Sequence, residues 1–155
     1  MEYAIELFSP KLHRDQVVSI FKLRPDIFPP NEIKQIEEET KEEVSSNHYK
    51  AVATTGATVL GYCGAFYNTE DKSWEIDWFA VHPDHQSIGV GSRLIANIED
   101  WLNGQGIGKL QVKTCSCDGE AVARAFYTKH GFVVANTEKD GYAPGHSKLT
   151  FVKKL

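Results

Sequence analysis

The sequence predicts one mixed α/β (α+β) domain with the element order β-α-α-β-β-β-α-β-α-β-β. Three observations carry that expectation: apolar periodicity that switches repeatedly between two and 3.6 residues, turn residues at each switch, and a length of 155 residues, about one domain's worth. No repeat, low-complexity tract or Pro/Ser-rich linker divides residues 1–155. A chain of this size buries roughly 70% of the surface its unfolded form exposes, enough for a core and a pocket without disulfides.

Tyr3 to Phe8 reads as the first strand. After Ser9-Pro10, a helix over roughly 13–23 gathers Val17, Val18, Ile20 and Phe21 on one face. Pro25, Pro29 and Pro30 impose an irregular connection. Asn31 suits the N-cap of a second helix to about Ser46, with Ile33, Ile36, Thr40 and Val44 on one stripe and Glu38, Glu39, Glu42 and Glu43 on a solvated acidic face. Tyr49 to Thr55 and Thr58 to Tyr67 are strands around a Gly56 turn. Trp74 to Val81 follows through the polar Asn68 to Lys72 turn, and the three pair as an antiparallel meander. Gly89 opens a helix that places Val90, Leu94, Ile95, Ile98, Trp101 and Leu102 at helical spacing and ends at Gly104 and Gly106. Lys109 to Cys115 is a strand, and Glu120 to His130 a helix with Gly131 at C′. Phe132 to Thr137 and Lys148 to Val152 close the chain as strands.

Charge and cysteine content exclude several classes. Lys plus Arg number 17 against 21 Asp plus Glu, a net of −4, which argues against nucleic acid as a partner because phosphate binding needs a concentrated positive surface. The acidity is uneven: residues 1–71 carry 7 basic and 12 acidic side chains. No apolar run approaches the ~18 residues of a membrane span, and Met1 to Glu6 lacks a signal peptide's basic and apolar regions. A cytoplasmic protein without a membrane partner is expected. Cys63, Cys115 and Cys117 are too few to staple a secreted domain. Cys115 and Cys117 point the same way along a strand and read as small buried side chains. His82 and His85 stand on a strand-to-loop exit rather than on one helix face, so no metal is expected.

The most informative stretch runs from Trp74 to Gly91. A strand passes through Val81-His82-Pro83 into Gln86-Ser87-Ile88-Gly89-Val90-Gly91, which opens a helix at once. Backbone N–H groups converge there unobstructed, and the helix dipole adds about half a positive charge, making an anion site suited to phosphate or pyrophosphate. A nucleotide P-loop needs Lys-Ser or Lys-Thr after its last glycine, where this chain has Ser92-Arg93. A Rossmann fingerprint needs a glycine where Leu94 stands.

Gln-x-x-Gly-x-Gly after Val-His-Pro resembles the acetyl-CoA signature of the GNAT superfamily of acyl-CoA-dependent N-acetyltransferases. Ala125-Phe-Tyr-Thr-Lys-His-Gly-Phe132 resembles that family's later motif, 36 positions from Gly91 to Tyr127. The resemblance covers nearly the whole chain and implies the GNAT fold, a mixed, mostly antiparallel twisted sheet of about six to seven strands with helices on both faces. It implies acetyl-CoA as co-substrate and no metal. The pyrophosphate would lie on Gln86, Ser87, Ile88, Gly89, Val90, Gly91 and Ser92, chiefly on their backbone. The main chain of Phe79, Ala80 and Val81 would pair with the pantetheine arm. Tyr127 would donate a proton or hydrogen bond to the departing thiolate, with Phe126 in the core. Glu75 or Asp77, on one face with Phe79 and Val81, would take the proton of a primary amine of a small molecule or peptide.

One departure stands out: the segment Cys117-Asp-Gly-Glu120 lacks the asparagine that relatives often place before the tyrosine. Glu120 there only accepts hydrogen bonds. A CoA-binding sensor or interaction module without turnover is therefore the alternative. In the family's layout Glu37 to Glu43 flank the acceptor side, an acidic entrance that would favour cationic amines. His146, near Tyr142, reads as solvent-exposed beside the acceptor pocket. Relatives often dimerise, which makes a homodimer an expectation.

Overall fold

Strict alternation fails in the two central strands because both of their faces are covered. Lys50 to Thr54 and Val59 to Ala65 are buried without a break, which only a sheet sandwiched between helices allows. The computed structural model describes all 155 residues, Met1–Leu155. The elements are β1 (Ala4–Leu7), α1 (Pro10–Lys22), α2 (Pro30–Glu39), β2 (His48–Thr55), β3 (Thr58–Asn68), β4 (Ser73–Val81), α3 (Val90–Gly104), β5 (Lys109–Cys115), α4 (Ala121–Lys129), β6 (Val133–Ala143) and β7 (His146–Lys154). One seven-stranded sheet has the order β1-β2-β3-β4-β5-β7-β6, and only β4 and β5 run parallel. A larger core cluster of 18 residues lies under α3 and α4, and a smaller one of 9 under α1 and α2. No helix is long and apolar enough to cross a membrane.

Several helix and strand ends depart from the sequence expectation. α1 starts at Pro10, since proline is well suited to the first helical position, where no N–H is needed, with Ser9 extended before it. α2 likewise starts at Pro30 after Pro29, so Asn31 is not its cap. It stops at Glu39 instead of Ser46, and side-chain donors take carbonyls of its last turn and of the turn beyond it. Thr40 Oγ1 donates to Ile36 O at 2.6 Å, and the buried Lys50 Nζ donates to Glu39 O and Glu42 O at 2.8 and 2.9 Å. β6 and β7 run on to a tight turn at Pro144-Gly145, where Gly145 has φ +78°.

Two irregularities in β4 shape the site. Cys63 pairs with Phe79 and Ala65 with Ile76, so Asp77 and Trp78 together face Gly64 in a β-bulge. Gly64 accommodates it: a Cβ there would lie 2.6 Å from Asp77 Oδ1. The extra residue inverts the alternation, so Trp74 and Ile76 face the α3 side but Trp78 and Ala80 the α1 side. Phe79 and Val81 therefore lie on the face opposite Glu75 and Asp77, a correction to the single shared face. The second irregularity is that β4 pairs with β5 only from Trp74–Leu110 to Ile76–Val112. Beyond Ile76 the two parallel strands splay.

Candidate active site

The splay opens a cleft of about 1590 Å³ lined by β4, β5, α2 and the starts of α3 and α4. On its β4 wall the main chain from Asp77 to Val81 is bonded to β3 on one side and has no strand on the other. That free edge can take an extended amide-bearing chain as an added strand.

At the end of β4 a short 3-10 turn, Pro83–His85, leads into the loop that opens α3. Ser87 has φ +74° and Gly89 φ +84°, a left-handed pair that turns successive amides to one side. None of the N–H groups from Ser87 to Ser92 donates a well-formed hydrogen bond to a backbone acceptor; the first such bond is Arg93 N to Gly89 O. Gln86, Ser87 and Gly89 to Ser92 line the cleft but Ile88 does not, and the side chains of the loop go three ways. Gln86 folds its side chain back on Val81 O at 3.4 Å, Ile88 turns its side chain to solvent, and Ser92 Oγ sits 3.1 Å from His130 Nε2. Arg93, where a P-loop would have its Ser or Thr, stacks on Tyr3.

Tyr127 is buried among Phe79, Phe126, Phe132 and Phe151, while Phe126, expected in the core, is only half-buried and lines the cleft. Burial raises the Tyr127 phenol above its ordinary value, with smaller contributions from the Cys63 thiol and the Glu120 carboxylate. It is a neutral donor facing the cleft.

Glu75 and Asp77 have different surroundings. Glu75 Oε1 accepts from Asn68 Nδ2 at 3.1 Å and Gln111 Nε2 at 2.8 Å, and lies 3.3 Å from Lys113 Nζ. Asp77 lies under the bulge with Oδ1 bonded to Trp78 N at 2.7 Å, and with His48 Nε2 2.8 Å from Oδ2. Glu39 completes a trio whose ligand atoms are within 4.8 Å of one another. His48 Nε2, Asp77 Oδ2, Glu39 Oε2 and the nearby Tyr62 hydroxyl are buried without well-formed hydrogen bonds. Burial opposes the Asp77 charge, but the polar contacts from His48 and Glu39 outweigh it, and the carboxyl is held below its usual value. Glu39 is pushed up to about 10, by burial and then by the Asp77 charge. It is a protonated acid at neutral pH.

The sequence reading missed Glu39 and His48 as site residues. Glu39 looked like one of a solvated row, and only the end of α2 turns it inward. Its neighbours Glu37 and Glu38 instead pair with Lys22 at 3.6 Å and Lys41 at 2.9 Å, so the acidic helix as a whole is not the cleft's entrance. Glu120 faces back to its own turn, accepting from Cys115 N at 3.2 Å. His146 is exposed, as expected, and lines the cleft with Tyr142.

The seven-stranded sheet thus splays after its parallel pair, with a bare-amide loop at the splay. The acetyltransferase (GNAT) family model matches residues 17–132, and the chain belongs to that family. N-alpha-acetyltransferase RimI of Mycobacterium tuberculosis is 35% identical over 88 residues, 56% of this chain and 52% of that protein; the match thus spans about half the length of the curated relative. A protein described as a GNAT-family acetyltransferase from Desulfovibrio desulfuricans superposes with a TM-score of 0.90 at 21% identity, covering 99% of each chain. PaiA N-acetyltransferase from Thermoplasma acidophilum, solved with coenzyme A, gives 0.75 at 17% identity over 100% of both chains. At these identities the two structures establish the fold alone.

Proposed function

We propose that the chain transfers an acetyl group from acetyl-CoA to a primary amine of a small molecule or peptide, by direct attack while both substrates are bound. The observation that carries this reading is the run of free N–H groups from Ser87 to Ser92 beside the unpaired β4 edge. Those amides would hold the pyrophosphate, together with the positive end of α3. The Phe79-Ala80-Val81 edge would hold the pantetheine arm and offer N–H groups to the developing oxyanion.

The two proton steps fall to different residues. An alkylammonium must lose a proton near pKa ~10 before its nitrogen can attack. Asp77, ionised and carrying an unbonded Oδ2 beside His48, is better placed to take it than Glu75, whose Oε1 already faces three donors. Tyr127 then donates a hydrogen bond to the departing sulfur. Full transfer from a phenol held above ~10 to a thiolate near ~8.5 would run uphill by at least ~2 kcal/mol, so the phenol stays protonated.

Thermal unfolding with acetyl-CoA at ~100 times its dissociation constant should show ~2.7 kcal/mol of added stability. An unchanged Tm would remove both this reading and the sensor alternative, which the lack of the family's asparagine before Tyr127 favours. Cytoplasmic placement and a homodimer belong to the same proposal.

A further inference from the structure

Within the same cleft, which Cys115, Glu120 and His146 also line, the turn after β5 and the start of β7 bring two thiols and an imidazole to one point, with a carboxylate beside them. Cys115 closes β5 and is buried, Cys117 is half-buried two residues on, and His146 opens β7 at the surface. Sulfurs and ring nitrogen all lie within 4.8 Å of one another. Cys115 Sγ is 3.7 Å from His146 Nδ1, and Cys117 Sγ is 3.7 Å from Glu120 Oε2. Tetrahedral zinc, with bonds of ~2.3 Å to sulfur and ~2.0 Å to nitrogen or oxygen, separates a sulfur from either lighter atom by roughly 3.5 Å. The Cys115–His146 and Cys117–Glu120 spacings match within a few tenths of an ångström.

The frame around these groups is already fixed. Arg124 Nη1 donates to Cys115 O at 2.5 Å and Cys117 O at 2.7 Å. Ser116 N donates to Ser147 O, and Ser147 N to Ser116 Oγ, both at 2.9 Å, so the thiol-bearing turn is stitched to the residue after His146. Strand alternation does not describe the pair: β5 ends at Cys115, and Cys117 N turns back to donate to Cys115 Sγ at 3.1 Å.

We propose that Cys115, Cys117 and His146 form a three-ligand zinc site, its fourth position open to the Glu120 carboxylate beside Cys117, that ties the β5–α4 turn to the β6–β7 hairpin. Two thiolates with an imidazole select zinc over the oxygen-seeking magnesium and calcium ions. On binding, both thiols lose their protons and two zinc–sulfur bonds form, so up to two protons are released per ion while His146 binds neutral. The sequence expectation of no metal rested on Cys115 and Cys117 as small buried strand residues and on His82 and His85 standing off one helix face; the 29 positions from Cys117 to His146 give no local signal. The hairpin supplies the closure that the spacing hides.

The test uses the full chain, reduced, metal-stripped and free of a histidine tag. Titration with Co²⁺ should give a thiolate-to-cobalt charge-transfer band that saturates at one equivalent and is displaced by Zn²⁺. Cys117→Ser and His146→Ala should each weaken binding at least tenfold, while Cys63→Ala leaves it unchanged. In the wild-type chain, which needs no variant to fold, Zn²⁺ should slow alkylation of Cys117 at least tenfold. Absence of the band, its survival unchanged in Cys117→Ser, or an unaltered alkylation rate would overturn the site.

Discussion

Replacing Glu39 with glutamine should stabilise the protein, contrary to the usual effect of changing a buried, clustered side chain. The Glu39 carboxyl stays protonated to about pH 10 in the fold, whereas the unfolded chain releases that proton near its ordinary value of 4.5. The folded state therefore binds more protons, and stability falls as pH rises through the window from 4.5 to about 10. At ~1.4 kcal/mol per pH unit, neutral pH carries a penalty of up to about 3 kcal/mol. Glutamine keeps the side chain's shape and polarity beside Asp77 and removes the titration. A net gain of about 1–3 kcal/mol would raise Tm by roughly 3–10 °C in a domain of this size. Calorimetry of both proteins from pH 6 to pH 9 should show the variant's advantage growing with pH. A destabilised variant, or an advantage that stays flat or shrinks with pH, would refute the protonated Glu39.

Tyr127→Phe should lower kcat roughly 10²-fold and leave KM for acetyl-CoA nearly unchanged, because only the leaving sulfur loses its donor; steady-state kinetics with both substrates varied checks this. Asp77→Asn keeps the side chain's shape beneath the bulge and removes the base, so kcat/KM should drop about 10²–10⁴-fold with far smaller loss in a parallel Glu75→Gln variant. Equal losses in the two variants would return the base to either carboxylate.

The strands were legible where residue type and burial agree. Lys109 to Cys115 fell in place because β-branched and long apolar groups alternate between clear turn signals. The glycine loop was legible for another reason: Gly89 at φ +84° and the bare amides after Ser87 are properties of the chain itself. What escaped was tertiary. Nothing near Glu39 announces that Lys50, eleven residues on, will cap α2 and fix its last turn. The bulge at Asp77-Trp78 depends on the absent side chain of Gly64 on another strand, and without it the period-two reading puts Phe79 on the wrong face. Cys117 and His146 meet only because the β6–β7 hairpin folds back, a register that no local pattern encodes.

The central claim is amine-dependent acyl transfer in the β4–β5 wedge, and release of free CoA thiol at fixed acetyl-CoA across a panel of primary amines tests it most directly. At least one amine should raise thiol release well above background hydrolysis, with initial-rate lines that intersect when both substrates are varied. Binding of acetyl-CoA with no amine-dependent thiol release across the panel would contradict the account and leave the fold a CoA sensor.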